Sequence, residues 1–76
     1  IKKLPVKAVK GDIRAWEFSD NGGGRRIAVL ALGPGPAEAE ITVGSPEKLK
    51  SVYGKSVLKN GKWLFRAENI DCDIIR

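Results

Sequence analysis

The chain has 76 residues, room for one domain, with 14 basic and nine acidic residues and a net charge of +5. That balance favours polyanionic partners. Histidine is absent and Cys72 is the single cysteine, which excludes zinc sites of the Cys/His kind, a His general base or triad, and an intramolecular disulfide. No cofactor is expected.

No apolar run reaches the ~18 residues of a membrane span, and no signal-peptide pattern appears. A membrane partner is therefore not expected, and a cytoplasmic location is. The chain opens on Ile1 rather than Met, as a trimmed or processed chain or one module of a longer protein would.

Residues 1–5 read as a basic arm, with Lys2 and Lys3 ahead of Pro5, which cannot donate to a sheet ladder. A first strand is expected over Val6–Phe18. Alternation puts Val9, Ile13 and Ala15 on a core face and Lys10, Asp12, Arg14, Trp16 and Phe18 on the other. Gly11 inside it predicts a bulge or sharp bend. Ser19–Gly24 reads as a flexible turn. Arg25–Leu32 is apolar on both faces, which predicts a central strand.

Gly33-Pro34-Gly35-Pro36 is a rigid reversal. In Ala37–Val43, Ala39, Ile41 and Val43 alternate with Glu38, Glu40 and Thr42, the pattern of a half-buried strand. Ser45-Pro46-Glu47 reads as a helix start, Leu49, Val52 and Tyr53 as its apolar face, and Gly54 as its end: a helix of about two turns. Asn60-Gly61 then predicts a two-residue hairpin that pairs Lys59 with Lys62, Leu58 with Trp63 and Ser56 with Phe65. A last strand places Ile70, Cys72 and Ile74 opposite a wet face of Asp71 and Asp73, with Cys72 as a small buried hydrophobe.

This order predicts a mainly β fold: a small five-stranded Greek-key barrel with one short helix between strands three and four. An SH3-like barrel is the competing architecture. At Val9-Lys10-Gly11-Asp12-Ile13, Arg25 to Leu32, Ala39 to Val43 and the Lys59-Asn60-Gly61-Lys62 turn, the chain resembles OB-folds of the replication protein A type, as found in archaeal single-stranded DNA-binding proteins. The pattern covers about residues 6–70. It departs from the family at Gly33-Pro34-Gly35-Pro36 and at Gly44, where the family often has a Trp. The resemblance implies a barrel and a single-strand binder.

The residues themselves carry a matching chemistry. Single strands need flat partners for bases and cations for phosphates. Trp16, Phe18 and Trp63 are the expected stacking rings; Lys10, Arg14, Arg25, Arg26, Lys59 and Lys62 are the expected phosphate contacts. Against this stand structural readings: Trp16 or Phe18 closing the end of the core, Trp63 and Phe65 packed inside with Leu58, and Arg25 and Arg26 as charges of a solvated turn. The pairs Glu38/Glu40 and Asp71/Asp73 lack a third carboxylate and read as solvated strand faces rather than metal or acid–base sites. The sequence reading is thus a non-catalytic protein with single-stranded DNA or RNA as partner. A protein-interaction or self-assembly module is the alternative.

Overall fold

A computed structural model describes residues 1–76. The chain is mainly β, with eight strands in chain order: β1 (Lys2–Lys3), β2 (Val6–Lys10), β3 (Ile13–Ser19), β4 (Arg25–Ala31), β5 (Ala37–Ile41), β6 (Ser56–Lys59), β7 (Lys62–Ala67) and β8 (Asp71–Ile75). They form two antiparallel four-stranded sheets. Sheet A runs β1-β3-β4-β8 and sheet B runs β2-β5-β7-β6. The expected five-stranded closed barrel is therefore corrected to two facing sheets that remain open.

The sheets share one core because their inner faces alternate in phase. Ala15, Ile27, Val29 and Ile75 from sheet A meet Ala39, Ile41, Trp63 and Phe65 from sheet B, all buried. Each fully buried large side chain contributes roughly 1.5–3 kcal/mol, so a few residues supply most of the stability of so small a domain.

The first strand is not continuous. Residues 2–3 pair with β3, and after Pro5 the chain pairs with β5 instead. It then breaks at Gly11 and Asp12 to become β3. Gly11 has φ +79, and a Cβ there would lie 2.7 Å from the Cβ of Ala37. Only glycine fits this corner. The register also slips between Ala8 and Lys10, a bulge that throws Val9 outward. Val9, expected in the core, is 63% exposed.

Residues 45–54 form no α-helix. A single 3-10 turn covers Pro46–Lys48, and Ser45 sits in the left-handed region at φ 47 without capping through its side chain. Leu49 is buried in the core. The chain then extends along β8: Lys50 N–H donates to the Arg76 carbonyl (2.8 Å), Arg76 N–H to that of Lys50 (2.9 Å), and Val52 N–H to that of Ile74 (2.7 Å). Sheet pairing replaces the helix that the cap residues favour.

Asp73 holds this strap in place. It is fully buried, and its carboxylate accepts from the Ser51 hydroxyl (2.5 Å), Tyr53 N–H (3.0 Å) and Ile74 N–H (2.9 Å). The face assignment of the last strand is thereby reversed. Asp73 and Ile75 point inward, while Cys72 and Ile70 are exposed and Ile74 is half-buried.

Candidate nucleic-acid interface

The outer face of sheet A is built by strand alternation. With Ile13 and Ala15 inside, β3 turns Arg14, Trp16 and Phe18 outward. Residues directly opposite share a face. Trp16 is flanked by Lys3 on β1 and by Ala28 on β4, and Ala28 by Ile74 on β8. Arg14 lies opposite Leu30, Leu30 opposite Cys72, and Phe18 opposite Arg26. Trp16 and Phe18 are both half-buried. Two residues apart on a strand, their Cα atoms stand about 6.8 Å apart, roughly twice the 3.4 Å rise of a stacked strand.

No strand position on this face carries a carboxylate; Arg14, Arg26 and Lys3 are its charges. Acids reach two of them only from loops. Arg14 Nε lies 3.3 Å from Asp12, both well exposed, and Arg26 lies 3.2 Å from Asp20. Asp20 is itself the organiser of the β3–β4 turn, accepting from Gly22 N–H (2.9 Å) and Gly24 N–H (2.8 Å). Those amides, Gly24 first, hold its carboxyl below the usual range, and Arg26 adds to the effect. The expected flexible turn is thus a stapled one.

Arg25 has a different task. Its Nε and one Nη donate to the Glu17 carboxylate (2.8 and 3.2 Å), and its Nη groups also reach the carbonyls of Gly44 (2.7 Å) and Ser45 (3.3 Å). Four of its five donors are thereby engaged. The hydrogen bond from Arg25 lowers the Glu17 pKa and raises that of Arg25. Arg25 ties β3 and β4 to the loop after β5 rather than standing free for a phosphate.

Trp63, expected as a stacking ring, is 4% exposed, and its Nε1 is buried without a partner. It packs in the core beside Phe65, with Leu58 opposite. Lys10, Lys59 and Lys62 lie on sheet B, away from Trp16. There Glu38 stands between Lys10 and Arg66, with Arg66 Nε 3.0 Å from its carboxylate, and Glu40 between Lys7 and Leu64. The structure therefore brings together Arg14, Trp16, Phe18 and Arg26 from the expected set and separates the rest. It adds Lys3, whose signal was its place in the Lys2-Lys3 arm, and the small or aliphatic neighbours Ala28, Leu30 and Ile74. No cluster of side chains suited to a metal ion is present, and no helix is long and apolar enough to cross a membrane. Comparisons with protein-family models, with curated proteins and with solved structures find no match for this chain.

Proposed function

We propose that the protein binds single-stranded nucleic acid on the outer face of sheet A and acts without catalysis. The observation that carries the reading is the pairing of two partly exposed rings, Trp16 and Phe18, with Lys3, Arg14 and Arg26 on a face where no strand position carries a carboxylate. Unstacked bases lie on the rings and phosphates meet the cations. A stacked base is worth roughly 1–3 kcal/mol, and each neutralised phosphate adds salt-dependent affinity. The OB-fold resemblance supports the same partner, although the sheets here stay open.

The test is a titration of fluorescently labelled single-stranded DNA and RNA at low and moderate salt, with Trp16→Ala alongside. Binding that weakens with salt and drops about tenfold or more in Trp16→Ala supports the reading. Absence of binding at low salt ends it. A second reading is a protein-docking or self-assembly face. It draws on the apolar row Trp16, Ala28 and Ile74 across three strands. Light scattering across a concentration series separates the two, because only the second makes association survive high salt.

A further inference from the structure

The chain changes sheets at Pro5 and again at Gly11, and a groove opens where it does so. This groove, about 500 Å³, is lined by Lys3, Leu4, Pro5, Val6, Ile13 and Arg14. Two other concavities exist, and both carry carboxylates: Glu40 in one, Glu38 and Glu68 in the other. The corner groove is lined by cations and apolar groups without an acid. Asp12 approaches it only through its 3.3 Å contact with Arg14.

Its position matters as much as its chemistry. Lys3 and Arg14 belong both to this groove and to the outer face of sheet A, where Lys3 stands opposite Trp16 and Arg14 two residues before it. A strand laid along β3 from Phe18 over Trp16 reaches these cations next and then the groove. Building on the proposed single-strand reading, we infer that the groove takes the base of a third nucleotide, turned out of the stack. Lys3 and Arg14 hold the phosphate on its approach. The apolar walls of Leu4, Pro5 and Val6 exclude water from the base, as expected of small-ligand sites in general. The bound strand thus runs along β3, and three nucleotides fill the rings and the groove together.

The experiment compares dT2, dT3 and a dT2 extended by one abasic deoxyribose phosphate, titrated into the 15N-labelled protein at low salt. Wild type should bind dT3 about tenfold tighter than the abasic trimer, with amide shifts at Val6 and Ile13 that dT2 does not cause. Val6→Trp, which fills the groove, should abolish that tenfold gain while the Trp16 indole still responds to dT2. Lys3→Ala, an exposed position that leaves the core intact, should weaken dT3 and the abasic trimer equally. Equal affinity of wild type for dT3 and the abasic trimer, or a gain that persists in folded Val6→Trp, overturns the groove and leaves the sheet A reading standing. Failure of every oligomer to bind overturns both.

Discussion

The two outer faces of this protein are both basic, yet they are built on opposite plans. On sheet A, Lys3, Arg14 and Arg26 surround Trp16 and Phe18, and no outward-facing strand position is an acid. On sheet B, Glu38 and Glu40 sit between Lys7, Lys10 and Arg66, and no aromatic ring faces out. The two faces therefore differ in where their acids come from and in what surrounds their cations. On sheet B the acids stand on the strands themselves, and Glu38 pairs with Arg66 in an exposed ion pair of little worth to stability. On sheet A the acids come from loops, Asp12 to Arg14 and Asp20 to Arg26, and the cations lie beside two partly exposed rings. A count of basic residues cannot separate these cases, but strand partners can.

The contrast is sharpest between the two tryptophans. Trp63→Ala should cost about 3–5 kcal/mol, read from the urea midpoint, because it empties the core of a small domain. Trp16→Ala should cost less than about 1 kcal/mol by the same measurement, since its ring is half-buried and lies outside the core. Equal losses would mean that Trp16 is a core residue after all and break the comparison. Charge reversal comes next. Arg26→Glu should weaken binding to a labelled single strand about tenfold at low salt, while Lys62→Glu on sheet B should change it less than about twofold. A more graded test is the salt slope, where Lys3→Ala should lower the log–log slope by about 0.7 and Lys59→Ala should leave it unchanged.

The smallest effect concerns acid. Glu17, Asp20 and Asp71 all brace sheet A, held respectively by Arg25, by the Gly24 and Gly22 amides, and by Lys55. Their folded pKa values are depressed, so below the ordinary carboxylate range the unfolded chain takes up more protons than the folded one. The stability they give is complete above about pH 4.5 and is lost as pH falls through the depressed values. Urea midpoints should therefore drop on acidification, and the drop should be shallower in Glu17→Gln. A midpoint that rises in acid would contradict the assigned directions.

Part of this structure was open to reading from residues alone. Asn60 and Gly61 take φ 53 and +78, and the hairpin they turn has the expected register down to Ser56 opposite Phe65. The alternation in Ala37–Ile41 and the central place of β4 also followed from their apolar pattern. The missing helix did not. Ser45, Pro46 and Glu47 carry a genuine start signal, but Lys50 to Val52 gains sheet bonds to β8 that no local propensity announces. The faces of β8 were illegible for a related reason. Asp73 is tolerated inside because Ser51 and Tyr53, twenty or more positions earlier, supply its donors. Of the three rings expected to meet solvent, Trp16 and Phe18 stay partly exposed and Trp63 is buried. It alternates with Leu64, so both sides of β7 read as apolar.

The strap of Lys50 to Val52 governs how molecules of this protein can meet one another. It covers the β8 margin of sheet A, and the opposite margin, β1, is only two residues long. Sheet A thus offers little edge for templated strand addition between molecules. The longer free margins are β2 and β6 of sheet B, where Lys7, Lys10 and Lys59 make a second copy an electrostatically poor neighbour. Association through strand edges is resisted at both sheets, and the Trp16 face, which lies on neither edge, stays clear of it.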